Sequence, residues 1–104
     1  MIMMVFVYGT LADSEIRKSI LNRDVPATPT ALAGYDGSKT IVIEGESYFA
    51  AEKNPESSTK GFVIELTEEE VVKLDAYETD AYKKRKVTLV DGTEALVYLN
   101  KNSD

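Results

Sequence analysis

Residues 61–78 decide the fold: Gly61-Phe62-Val63-Ile64-Glu65-Leu66, then Thr67-Glu68-Glu69-Glu70, then Val71-Val72-Lys73-Leu74-Asp75-Ala76-Tyr77-Glu78. The first six form a short, mostly apolar run opened by glycine, and they read as a strand. Thr67 and Glu70 make a capping box, in which the Thr67 hydroxyl accepts from the Glu70 amide and the Glu70 side chain reaches back. Leu66 and Val71 are placed for the hydrophobic staple around it. Three glutamates in the first turn also meet the positive end of the helix. At about 100° per residue, Val71, Leu74, Tyr77, Glu78 and Ala81 share one stripe, while Lys73, Asp75 and Thr79 fall off it. A glutamate on an inward stripe has two readings. Either it is buried, where a carboxylate without a partner is costly or takes up a proton, or the helix frays and Glu78 faces solvent or pairs with Lys83 or Arg85.

Toward the amino terminus, Met3 to Tyr8 is a continuous apolar run ended by Gly9, the pattern of a buried central strand. Thr10-Leu11-Ala12 makes a loop. Asp13 or Ser14 then caps a helix to about Asn22, with Ile16, Ile20 and Leu21 inward. Residues 25–29 are extended, because Pro26 and Pro29 disfavour helix before them. Residues 30–35 and 39–44 flank Asp36-Gly37 as a predicted hairpin. Residues 47–51 read as a short strand, and residues 53–60, with Asn54-Pro55 and Ser57-Ser58, as a polar loop. Beyond the helix, residues 86–90 and 94–99 flank Asp91-Gly92 as a second hairpin, and residues 100–104 read as a frayed tail. Short strands and two helices without βαβ alternation predict one α+β domain over residues 1–104, built on a small closed or nearly closed mixed β-barrel.

Composition removes whole classes of chemistry. The 104 residues include no cysteine and no histidine, so disulfides, thiolate nucleophiles, imidazole bases and the usual zinc ligand sets are excluded. No acidic spacing matches a calcium loop or a phosphotransfer site, so neither a metal nor a cofactor is expected. Proton transfer would fall to carboxylate, Lys, Tyr or water. A net charge of -6 with pI near 4.7 argues against nucleic acid as the main partner. The basic run Lys83-Lys84-Arg85-Lys86 reads as a solvated edge that discourages strand pairing, with an anionic-partner patch as its rival. The opening apolar run carries no basic leader and is too short to span a membrane, so a cytoplasmic protein is expected. Nothing in the sequence marks an oligomeric interface.

Two segments resemble the gamma-glutamylcyclotransferase-like family, in particular its small gamma-glutamylamine cyclotransferase-like branch. Phe6-Val7-Tyr8-Gly9-Thr10-Leu11 resembles that family's strand-ending Tyr-Gly-Ser/Thr-Leu loop. Leu74-Asp75-Ala76-Tyr77-Glu78, followed by Tyr82, Arg85 and Val87, resembles its Leu-Asp-x-x-Glu stretch. Gly61 to Leu66 and Ala95 to Tyr98 fit as the strands before the helix and at the close. The resemblance implies a gamma-glutamylcyclotransferase-like fold in which Tyr8, Gly9, Thr10 and Leu11 hold a gamma-glutamyl substrate and Glu78 is the general acid/base. It implies lesser pocket-lining roles for Tyr82 and Tyr98. The implied reaction is attack of the substrate's own α-amine on its γ-carbonyl, releasing 5-oxoproline and an amine. There are departures: Ala12-Asp13 follows Leu11 where the family often has Arg, Tyr48-Phe49 replaces a common Tyr-Pro, and two residues separate Tyr82 from Arg85.

The loop reading agrees with elementary chemistry, since Gly9 permits close backbone approach and amides after a strand end can hold a carboxylate. A tight turn without a ligand is the plainer alternative. Three rival functions stand beside the cyclotransferase: a non-catalytic module that keeps the pocket for a small amino-acid-like ligand or partner, a nucleic-acid or anionic-partner patch at residues 83–86, and another amide cleavage or transfer by the same carboxylate.

Overall fold

The computed structural model describes residues 2–78 and 82–100. The strand β1 (Ile2–Val7) sits at the centre of a five-stranded sheet, in which the strands lie in the order Ala27–Asp36 (β2), Glu52–Thr67 (β5), β1, Glu94–Asn100 (β7) and Tyr82–Thr88 (β6). It runs antiparallel to β5 (Glu52–Thr67), with Phe6 opposite Val63, and parallel to β7 (Glu94–Asn100), with Val5 opposite Leu96. Both of its faces are covered, which explains the unbroken apolar run. Val5 and Val7 join Ile64, Leu66, Val71 and Leu74 on the side packed by the helices. Phe6 and Tyr8 point the other way, into a second cluster with Leu32, Val63 and Val97.

The sheet curls but does not close. Its edge strands are β2 (Ala27–Asp36) and β6 (Tyr82–Thr88). Between them, just beyond β6, the Val90 amide donates to the Ala31 carbonyl at 3.0 Å. The architecture is therefore an α+β, nearly closed mixed barrel with two short helices. The hairpin of β6 and β7 forms as expected, with Lys86 opposite Leu96. β6 is an edge strand, and two of its lysines pair with acids: Lys84 with Asp75 at 3.0 Å and Lys86 with Glu94 at 3.5 Å.

Three expectations need correction. Residues 36 and 37 do not join paired strands: the Asp36 carboxyl accepts from the Ser38 amide at 2.9 Å, and the chain leaves the sheet. A separate ribbon forms instead from β3 (Thr40–Ile43) and β4 (Glu46–Phe49), joined by Glu44 and Gly45 at φ 51° and 85°. Residues 53–60 belong to the 16-residue β5 rather than to a loop. The polar signal was nonetheless real. Partners jump from Ser58 to Lys53 while β2 advances only from Ala33 to Tyr35, so the Asn54-Pro55 stretch bulges from the ladder, where a proline is tolerated. Asn100 is no frayed end: it closes β7, is buried, and donates its amide to Ala51 at 3.1 Å. The rest of the expected tail, residues 101–104, lies outside the described residues.

Both helices start as their caps dictate. Asp13 caps α1 (Ser14–Leu21) by accepting from the Glu15 amide at 2.8 Å, and left-handed Asn22 ends it. Leu21 faces inward with Ile16 and Ile20 partly covered; Arg17, which the apolar pattern passed over, is buried as well. The capping box of α2 (Glu68–Glu78) is formed, with Glu70 N to Thr67 Oγ1 at 3.2 Å and Thr67 N to Glu70 Oε1 at 3.0 Å. On its predicted stripe Val71, Leu74 and Glu78 are buried, but Tyr77 is exposed; Ala81 lies outside the described residues.

Candidate active site

The end of β1, the loop after it and the end of α2 meet at one cavity of about 520 Å³. The loop is a short 3-10 turn, Gly9–Ala12. The first amides of such a turn have no acceptor within it, and Thr10 and Leu11 line the cavity. Gly9 itself does not line it. Its φ is +59°, and a Cβ there would come within 2.9 Å of the Phe49 Cβ, so glycine lets β4 close over the turn.

Glu78 lines the same cavity while only 8% exposed. Neither an ion pair nor a hydrogen bond reaches its carboxyl among the described residues. Burial alone therefore acts on it, and pushes its pKa from 4.5 up to about 7. Of the two sequence readings of Glu78, the structure supports the buried one, and no bridge to Lys83 or Arg85 is described.

Tyrosines surround that carboxyl, and its charge raises the pKa of Tyr8, Tyr77, Tyr82 and Tyr98. The Tyr8 ring lines the cavity, but its hydroxyl is committed to the scaffold. It donates to the Tyr98 carbonyl and accepts from the Ala51 amide at 2.9 Å, and burial is the main cause of its rise to about 12. Tyr82 donates to the Phe49 carbonyl at 2.8 Å, tying β6 to β4. Tyr98 donates to Asp75 Oδ1, which also holds Lys84 Nζ at 3.2 Å; burial and then Asp75 drive its pKa well above the ordinary tyrosine range.

The six predicted lining or loop residues and Glu78 thus come together, with Gly9 serving the packing rather than the wall. Sequence reasoning missed three contributors. Asp75 was set off the inner stripe, yet it orients Tyr98; its spacing of three from Glu78 was the available signal. Arg17 is 5% exposed and donates to the Leu11 and Ala12 carbonyls, both at 2.8 Å, with its guanidinium 5.8 Å from the centre of the Phe62 ring. It thereby braces the 3-10 turn from behind. The third is the wall made by β3 and β4, where Glu44, Tyr48 and Phe49 line the cavity. Its signal was the two-residue Glu44-Gly45 turn between two β-prone runs.

Among the described residues no group of three or more acidic side chains is arranged to hold a metal, and no helix is long and apolar enough to cross a membrane.

A nearly closed α+β barrel whose helical carboxyl overlooks a strand-ending loop defines a recognisable class. Residues 5–104 match the model of the family described as gamma-glutamyl cyclotransferase, AIG2-like, and the chain belongs to that family. Among solved structures it is similar to a protein from Arabidopsis thaliana, with a TM-score of 0.80 at 24% identity. All of this chain is covered there, but it spans only 65% of that protein's length. A structure titled gamma-glutamyl cyclotransferase matches with a TM-score of 0.79 at 15% identity, over 100% of this chain and 69% of that one. An uncharacterised protein from Homo sapiens gives 0.71 at 18% identity, over 99% and 69%. At these identities the likeness is one of fold. No curated protein matches the chain in sequence.

Proposed function

We propose that this protein cleaves a gamma-glutamyl amide by cyclotransfer, with Glu78 as the general acid/base. The observation that carries the reading is the position of Glu78: a buried carboxyl, without a described cation partner, on the wall of a cavity shared with the Thr10-Leu11 turn. Family membership supports it.

In this reading the turn amides and Thr10 hold the carboxylate end of the glutamyl head. The ionised Glu78 takes a proton from the α-ammonium, and the freed amine attacks the γ-carbonyl carbon to close a five-membered ring. The oxyanion of the tetrahedral intermediate is steadied by backbone amides. Glu78 then passes that proton to the leaving nitrogen as the C–N bond breaks and takes up the second proton that the attacking nitrogen still carries, giving 5-oxoproline and a free amine, to which the carboxyl finally gives up that proton. No water is consumed and no protein nucleophile is required. Holding amine and carbonyl together can contribute roughly 7–11 kcal/mol, and a carboxyl titrating near 7 suits these proton transfers.

Incubating the protein with a panel of gamma-glutamyl amides while measuring 5-oxoproline tests the reading. Wild type should release it, and Glu78→Gln should bind the same amides without turnover. Full activity in Glu78→Gln would remove the assignment. If the amides raise the melting temperature but wild type never releases 5-oxoproline, the protein is a binding module.

A further inference from the structure

Arg17 is a charge in an apolar place. It is buried on α1, on the same face as the core residue Leu21 four positions on. No acid pairs with it among the described residues, and its Nε is buried without a hydrogen-bond partner. Removing a guanidinium from water in this way is costly, and an apolar side chain would fill the space at less cost. The compensation is local: Nη1 alone donates to both the Leu11 and the Ala12 carbonyl, each at 2.8 Å. These carbonyls end the Gly9–Ala12 turn, which cannot satisfy them itself. At its other end no side chain caps the turn, and in front Phe49 packs against Gly9. Thr10 and Leu11 line the cavity between these two holds; Arg17 does not line it.

We propose that Arg17 is a positioning residue, which holds the Leu11 and Ala12 carbonyls from behind and so fixes the turn in the shape that receives the glutamyl head. The choice of ligand rests on the function proposed above; the tether rests on the two hydrogen bonds alone. Arg17 sets affinity without touching substrate. The turn grips the head in the ground state and in the transition state alike, so its loosening appears in KM rather than in kcat. A role in stability alone would lower the melting temperature and leave the KM of the folded protein where it was.

Two variants and one gamma-glutamyl amide test this. Arg17→Met keeps an apolar stem without the donors, and Arg17→Lys keeps a charged donor. In 5-oxoproline release, Arg17→Met should raise KM about ten- to a hundred-fold, since two hydrogen bonds from a charged group are lost. Its kcat should fall by no more than about three-fold, and Arg17→Lys should recover part of the KM. A folded Arg17→Met with the wild-type KM, or an Arg17→Lys no better than Arg17→Met, would overturn the proposal. If Arg17→Met does not fold, NMR of wild type decides: saturating amide should shift the Arg17 Nε–H signal and leave that of Arg23 in place. An unmoved Arg17 signal would overturn the proposal. Calorimetric binding of the amide to Glu78→Gln, with and without Arg17→Met, separates the two readings. Binding that needs Arg17, without wild-type turnover, sinks the cyclotransferase and leaves the positioning role standing. Binding indifferent to Arg17, or none at all, sinks the positioning role whatever the turnover.

Discussion

Glu70 and Glu78 lie at opposite ends of α2, and each is 8% exposed, yet their surroundings push them in opposite directions. Glu70 accepts from Arg23 Nε at 2.7 Å and from the Thr67 amide at 3.0 Å. The Arg23 hydrogen bond is the main reason its pKa falls to about 2. Glu78 has only burial acting on it, and rises to about 7. At equal exposure, the glutamate at one end is anchored by Arg23, while the one at the other end meets no cation among the described residues. Burial by itself does not mark function; burial without a partner, beside a cavity, marks a candidate for it.

The largest contrast is in turnover. Glu78→Gln should reduce 5-oxoproline release by about 10²–10⁴-fold, the usual contribution of a general acid/base, while Glu70→Gln should leave it within a few-fold, as read by steady-state kinetics. Next comes stability at alkaline pH. The folded Glu78 binds its proton more tightly than the unfolded one, so its burial is harmless below pH 4.5. Stability is lost as pH rises from 4.5 through 7 and stays lower above. Glu78→Gln should therefore stabilise the fold by up to about 3 kcal/mol above pH 7, and the gain should vanish below pH 4.5, as read by denaturant unfolding across pH. A Glu78→Gln protein no more stable at pH 9 than wild type would break the comparison.

Glu70 carries the opposite sign. Its folded pKa is depressed, so its contribution is present above pH 4.5 and is lost as pH falls toward 2. Glu70→Gln should destabilise the protein at pH 7 by about 1–2 kcal/mol, discounted from the full shift because the Arg23 side chain is 45% exposed. The deficit should disappear near pH 2. The smallest effect concerns orientation. Asp75→Asn removes the charge behind Tyr98 and should lower the titration of one tyrosine, read by absorbance of the phenolate, with kcat/KM down about two- to five-fold.

How far these features were legible in the sequence follows the range of the forces that make them. The cap at Thr67 and Glu70 is local chemistry, and it formed where the spacing put it. The unbroken run in β1 announced a strand covered on both faces, and it is the central one. The ribbon was misplaced because Asp36-Gly37 carries a stronger local turn signal than Glu44-Gly45. Strand partners, however, are chosen by long-range pairing, and residues 27–36 found β5 instead. The 54–57 bulge was legible as polarity but not as part of a strand, since a register jump leaves no local mark. In the site, the apolar stripe placed Glu78 inward without revealing whether a cation would meet it. Only the packed arrangement leaves it without one among the described residues. Arg17 was hidden because a buried guanidinium that donates to the Leu11 and Ala12 carbonyls has no periodic signature.

The most direct test is a carboxyl titration followed by carbon-detected NMR on protein labelled at glutamate, with Glu70→Gln and Glu78→Gln used to assign the two signals. Two buried glutamates should separate from the exposed ones, Glu70 with a midpoint near 2 and Glu78 with a midpoint near 7 that moves when a gamma-glutamyl amide binds. A Glu78 midpoint between 4 and 5, indifferent to the amide, would contradict the account.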